Sequence, residues 1–151
     1  MPRATQQSDP EHDLAQEVIQ LLVAMSGRLG QHFAARAGEF GLSAAEAKVL
    51  LTLGVDDALP MRGLARRLGY DASNLTGVID KLEDRGAVER HADPTDRRVK
   101  TIAATEQGLR LREGIWVRLR ADAGPVKALT DSQLRELRQL LRVAVDDGRA
   151  S

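Results

Sequence analysis

Two short stretches in the middle of the chain hold the polar side chains best suited to bind a ligand. The first is SNLT, whose short side chains Ser73, Asn74 and Thr76 offer hydrogen-bond donors and acceptors, with Lys81 further along. The second is HADPTDRR, residues 91–98, whose adjacent guanidinium groups match the geometry of anionic oxygens. This combination suits an anionic ligand with hydrogen-bonding edges.

The remaining reactive side chains are too scattered to form a catalytic or metal site. The chain has no cysteine, which excludes disulfides, thiolate metal ligands and thiol-based redox sensing. His12, His32 and His91 show neither metal-ligand spacing nor a neighbouring carboxylate cluster. No nucleophile with a base and no phosphate-binding loop is recognisable. We therefore expect no catalytic residues, no metal, no cofactor and no enzymatic activity.

Composition predicts one globular domain. The 22 basic and 22 acidic residues give a net charge of zero, which argues against coating nucleic acid by bulk charge but allows a local basic face. No apolar run approaches the ~20 residues of a membrane span, and the N-terminus has no signal-peptide core. We expect a cytoplasmic protein without membrane contact, with a polar, flexible N-terminal segment at residues 1–12.

Apolar residues recur at spacings of three and four along most of the chain, which predicts amphipathic helices. A capping box, SAAE at residues 43–46, opens the second helix, and TDSQ at 130–133 opens the last one. The segments AVERHA and VKTIAA flank DPTDRR and predict two strands joined by a charged turn. The fold class is therefore mainly α with a small β-hairpin (α+β). The other helices are predicted at residues 13–37, 62–68, 72–85 and 105–123.

The order of elements in residues 43–104 indicates that the two polar stretches belong to one DNA-binding unit. Two helices joined by a tight glycine turn form a unit that docks the start of its second helix in the DNA major groove. The residues Ser73, Asn74 and Thr76 are short enough to let that helix approach base edges and phosphates. The hairpin would be a wing, whose arginines Arg97 and Arg98 can reach a narrow minor groove.

The run DASNLTGVIDKLEDRGAVERHADPTDRRVKTIAATEQG, residues 71–108, resembles the MarR family of winged helix-turn-helix transcriptional regulators, and the likeness extends over nearly the whole chain. The resemblance implies a single MarR-like domain at 13–151. Within it, a winged lobe spans about 43–104, and dimerisation helices span about 13–37 and 105–147. It also implies a homodimer on double-stranded DNA at a pseudo-palindromic operator. The apolar stripes outside the lobe independently call for a partner surface.

The resemblance also assigns roles to individual residues. Ser73, Asn74, Thr76 and Lys81 match the recognition helix, and Arg97 and Arg98 match the basic tip of the wing. Asp96 matches an aspartate that precedes them, and a carboxylate there can orient a guanidinium. Which arginine enters the minor groove stays open. Two positions depart from the family: Gly77 replaces a common arginine, and Ala104 replaces a common leucine.

The function implied is that of a sequence-specific repressor, relieved by a small-molecule effector. His32 is the candidate residue of a ligand pocket, and the alternative is a partly buried structural histidine. For the whole protein the alternative is a winged-helix protein-interaction module without specific DNA binding, which zero net charge and Gly77 keep open. A solvated helix start is the alternative for Ser73, Asn74 and Thr76.

Overall fold

The computed structural model describes residues 10–147, and the side chains of residues 13–146. The fold is mainly helical with one small antiparallel sheet, as the sequence predicts. The predicted flexible segment 1–12 lies largely outside the described residues. The elements are α1 (Pro10–Gly38), α2 (Ala44–Thr52), β1 (Ala58–Pro60), α3 (Met61–Leu68), α4 (Ala72–Asp84), β2 (Val88–Ala92), β3 (Lys100–Ala104), α5 (Glu106–Asp122) and α6 (Asp131–Asp147), with a short 3-10 turn at Gly124–Val126.

The helix boundaries follow local signals that the sequence carries. Ser43 and Glu46 form the predicted capping box, because the Ser43 hydroxyl accepts from the Glu46 amide at 3.2 Å and the Glu46 carboxylate accepts from the Ser43 amide at 3.3 Å. The described part of α1 begins at Pro10, three residues before the predicted start at Asp13. Asp71 occupies the N-cap position of α4, but its side chain makes no capping bond.

The sheet has three strands in the order β1-β3-β2, all antiparallel. The pairing of β2 with β3 is the predicted hairpin, with Val88 opposite Ala104 and Ala92 opposite Lys100. Strand β1 was not predicted. It is three residues long and ends in Pro60, which is tolerated because β1 lies at the edge of the sheet.

The described chain divides into two compact units. Residues 30–121, here called the central unit, contain the last turns of α1, then α2 to α4, the sheet and most of α5. A contiguous set of buried side chains holds these elements together, and such burial is the main favourable contribution to folding. The core residues are Ala37, Leu42, Ala47, Val49, Leu50, Leu53, Leu64, Ala65, Leu75, Ile79, Leu82, Ala87, Val88, Ile102 and Ile115.

Residues 10–29 and 122–147, here called the helical unit, contain the first part of α1 and all of α6. Between residues 13 and 29, and between 122 and 146, no side chain is fully buried. Much of the predicted apolar stripe of α1 is exposed in the single chain, with Leu14 62% and Leu21 63% accessible. In the described part of the chain, no helix combines the length and the apolar character that a membrane span requires.

Candidate nucleic-acid interface

Helix α4 turns a polar face to solvent because its apolar face is fixed in the core. Leu75, Ile79 and Leu82 recur at helical spacing and have no accessible surface. A left-handed glycine, Gly69 at φ 65°, ends α3 and allows the tight turn that leads into α4. The predicted contact residues of this helix are all exposed: Ser73, Asn74, Thr76 and Lys81.

Two positions on α4 differ in what they can offer a ligand. The Thr76 hydroxyl donates to the Ala72 carbonyl at 2.9 Å, so its oxygen is left mainly as an acceptor. Gly77 is exposed, and a Cβ built there would meet no atom within 4 Å. The glycine therefore serves no packing purpose within the described chain, and it leaves a gap in the polar face.

The turn between β2 and β3 is organised by Asp93. Its Oδ1 accepts from the Thr95 amide at 2.8 Å, from the Thr95 hydroxyl at 2.5 Å and from the Asp96 amide at 3.2 Å. These bonds, the Thr95 hydroxyl first, hold the pKa of Asp93 below its usual range because they favour the ionised carboxylate. The aspartate and Thr95 thus form the compact turn that the sequence predicts.

Asp96 shapes the backbone of the same turn. Its Oδ1 accepts from the Arg98 amide at 3.0 Å, and its carbonyl accepts from the Val99 amide at 2.9 Å. No bond from Asp96 to a guanidinium is seen among the described residues, and its role in orienting one stays a prediction. Arg97 and Arg98 are exposed, and neither joins an ion pair with any described residue.

Arg90 makes polar contacts that the sequence did not predict. It lies on β2, and its guanidinium pairs with the carboxylates of Asp80 and Glu83 on α4. The hydrogen bond to Asp80 is the main cause that raises the pKa of Arg90 above its usual range, and electrostatic attraction to Glu83 adds to it. The only available signal was the spacing of Asp80 and Glu83, which places both on one side of a helix.

The TEQG segment joins the end of α4 to the start of α5. The Thr105 hydroxyl donates to the Gly86 carbonyl at 2.6 Å and accepts from the Gly108 amide at 3.1 Å. Gln107 donates to the Arg85 carbonyl at 3.0 Å. A Cβ at Gly108 would overlap the carbonyl oxygen of Ala87, so this close approach requires glycine. The TEQG segment therefore holds the end of α4 and the start of α5 together at the base of the wing.

His32 is partly buried in the central unit, and the structure does not test its predicted place in a ligand pocket. An open groove of about 410 Å³ lies elsewhere, along α6. The groove is lined by Leu134, Leu137, Arg138, Leu141, Arg142, Val145 and Asp146.

No group of three histidine or carboxylate side chains suited to a metal ion occurs in the part of the chain that the structure describes.

An exposed polar helix after a tight turn, followed by a hairpin with arginines at its tip, defines a winged helix-turn-helix DNA-binding protein. The MarR family model matches residues 42–100. A MarR-family transcriptional regulator from Rhodococcus sp. RHA1 is 32% identical, with a TM-score of 0.75, over 85% of this chain and 92% of that one.

Two further relatives extend the comparison. CouR from Rhodococcus jostii RHA1 is 34% identical, with a TM-score of 0.71, over 85% of this chain and 92% of that one. The regulator SarZ from Staphylococcus saprophyticus is 29% identical over 105 residues, which are 70% of this chain and 72% of that protein. The chain belongs to the MarR family of transcriptional regulators. These are DNA-binding proteins rather than enzymes, so the expectation of no enzymatic activity is confirmed.

Proposed function

We propose that this regulator is a homodimeric repressor that binds a pseudo-palindromic operator through α4 and the tip of the wing. In each protomer, Ser73, Asn74, Thr76 and Lys81 would contact the major groove, and Arg97 or Arg98 would enter the adjoining minor groove. One observation carries the proposal. The polar face of α4 and the two wing arginines are exposed in the same unit, and those arginines have no ion-pair partner between residues 10 and 147.

Exposed apolar surface in the helical unit supports the dimer. On α6, Leu140 is 63% accessible and Leu141 and Val145 are also exposed, and the stripe of α1 is equally open. Contiguous apolar surface of this kind marks an interaction site, and a second copy would bury both stripes at once. A two-fold axis would then place two copies of α4 about 34 Å apart, which is one turn of DNA.

We further propose that a small molecule relieves repression. CouR, which is 34% identical, was crystallised bound to p-coumaroyl-CoA, so aromatic acyl thioesters are the first class to test. An effector that binds more tightly to a dimer whose helices are wrongly spaced lowers operator affinity by that preference. His32 remains the residue proposed to line the effector site.

Titration of DNA from the region upstream of the protein's own coding sequence tests the function. At several salt concentrations, binding is compared with that of a scrambled duplex of the same length and composition. We expect a preference for the upstream duplex and an affinity that falls steeply with salt, since phosphate contacts release counterions. Equal binding of both duplexes at every salt concentration would contradict the proposal and favour a protein-interaction module, with which the net charge of zero agrees.

A further inference from the structure

The wing and the recognition helix are joined by a side chain as well as by the backbone. Arg90 follows Val88 by two residues on β2, so both side chains lie on the face that packs toward α4. The Arg90 side chain is 26% exposed, and its guanidinium bridges Asp80 and Glu83. Two different nitrogens are used, Nη2 for Asp80 and Nη1 for Glu83.

The two carboxylates mark one flank of α4. Thr76, Asp80 and Glu83 follow one another at helical spacing and share this flank, whereas Ser73 and Gly77 share the neighbouring one. Arg90 therefore contacts α4 on the flank that also carries Thr76, but one to two turns beyond it toward the C-terminal end of the helix, away from Ser73 and Asn74. A planar guanidinium held by two acceptors has a defined position and direction, which a single contact would not give.

The backbone between α4 and the wing is held mainly at the turn. The chain passes from Arg85 to Val88 through Gly86, a left-handed glycine at φ 68°. Thr105 and Gln107 hold this turn through the Gly86 and Arg85 carbonyls, but neither contact reaches the part of β2 beyond Val88. Arg90 adds a contact two residues further along the strand, because it attaches β2 to the last two turns of α4.

We propose that Arg90 is a positioning residue for operator recognition, which holds the wing at a set distance and angle from α4 so that both reach their grooves together. This inference rests on the proposed function. The ion pairs are partly exposed, at 55% for Asp80 and 39% for Glu83, and such pairs contribute little to stability. Their removal should therefore change recognition more than folding.

Two variants separate positioning from simple charge. Arg90→Lys keeps the charge but replaces the planar fork by a point charge. The double variant Asp80→Ala with Glu83→Ala removes both acceptors and two negative charges. In both, we expect the ratio of operator to scrambled-duplex affinity to fall about tenfold, as much as one mismatched base pair costs. Scrambled-duplex affinity should stay unchanged in Arg90→Lys and rise in the double variant, because non-specific binding follows charge.

The matched control is Arg110→Ala, which removes an arginine paired with Glu106 at 2.5 Å on an exposed stretch of α5. This control should keep the wild-type ratio. A wild-type ratio in Arg90→Lys would show that charge alone matters and would overturn the inference, as would a wild-type ratio in the double variant. Circular dichroism checks folding, and the double variant decides if Arg90→Lys fails to fold. A wild-type protein with no preference for the operator contradicts the proposed function itself, and the inference with it.

Discussion

Three arginines of the hairpin have similar chemistry and different surroundings. Arg90 is held by two carboxylates on α4, whereas Arg97 and Arg98 extend from the turn with no ion-pair partner among residues 10–147. The charge of a guanidinium paired with two carboxylates is compensated, whereas an unpaired guanidinium can bind a phosphate without first giving up a partner. The structure therefore favours different roles for arginines that sequence alone would group together.

Replacing Arg97 or Arg98 by alanine should weaken operator binding while leaving the oligomeric state unchanged. If the replaced arginine binds one phosphate, the slope of log affinity against log salt should become shallower by about 0.9, because fewer counterions are released on binding. Fluorescence anisotropy at several salt concentrations measures both quantities. Arg110→Ala serves as the control, and unchanged slopes in both wing variants would remove the wing tip from the proposed interface.

Acidification should loosen the wing turn through Asp93. Its pKa in the folded protein lies below the ordinary value of 3.8, so its bonds stabilise the turn above pH 3.8 and are lost as the pH falls through the folded value. Amide chemical shifts of Thr95 and Asp96 should report this transition. In Asp93→Asn the side-chain oxygen still accepts hydrogen bonds but does not titrate. A transition that persists in that variant would assign it to another group.

Among the elements, the junction of α4, β2 and α5 determines where the wing begins. The Thr105 hydroxyl donates to the Gly86 carbonyl and accepts from the Gly108 amide, so one hydroxyl links the end of α4 to the first turn of α5. The amide of Thr105 also donates to the Ala87 carbonyl at 3.1 Å. Because these bonds meet within a few residues, the base of the wing is firmly tied to α5.

Replacing Gly108 and Gly77 by alanine should change the free energy of unfolding in opposite directions. Gly108→Ala should lower the free energy of unfolding by about 1–3 kcal/mol, since the new Cβ overlaps the Ala87 carbonyl. Gly77→Ala should raise that free energy by about 1 kcal/mol, because the added methyl group meets no atom and alanine favours the helix. Urea unfolding of both variants at one protein concentration measures the difference. A stabilised Gly108→Ala would contradict the close approach of α5 to Ala87.

Across the whole molecule, the distribution of buried surface is uneven. The central unit has a contiguous core, whereas the described side chains of the helical unit are partly or fully exposed. Apolar helices without a core are not stable by themselves, since most helical stability in proteins comes from packing of the apolar face. The helical unit would therefore gain the most buried apolar surface from contact with the proposed second copy.

A charge on the apolar stripe of α1 should disrupt the proposed dimer. Leu21→Glu introduces a carboxylate at a residue that is 63% accessible in the single chain, and burying it against a partner without a counter-charge is unfavourable. Analytical ultracentrifugation should show a shift to monomer, with weaker operator binding. Val55→Glu is the matched control, because Val55 is equally accessible at 62% but lies in the central unit. Equal behaviour of both variants would argue against an interface on α1.

Local sequence was enough to predict the helices, the hairpin and the position of the charged turn. These features depend on residues close together in the chain, such as Ser43 with Glu46 or Asp93 with Thr95, and their spacing is enough to reveal them. The family resemblance in residues 71–108 was also visible at this level, because TEQG and DPTDRR are local motifs.

Which distant residues meet depended on three-dimensional packing. Strand β1 forms because Leu59 pairs with Ile102, which lies far along the chain. Three residues that end in proline carry no pattern that predicts such a pairing. The same is true of Arg90, whose partners on α4 were set by how the sheet packs on the helix, and of Asp96, whose carboxylate bonds to the Arg98 amide instead of a guanidinium. Charge and periodicity predict which groups seek partners, but the folded backbone determines which partners lie within reach.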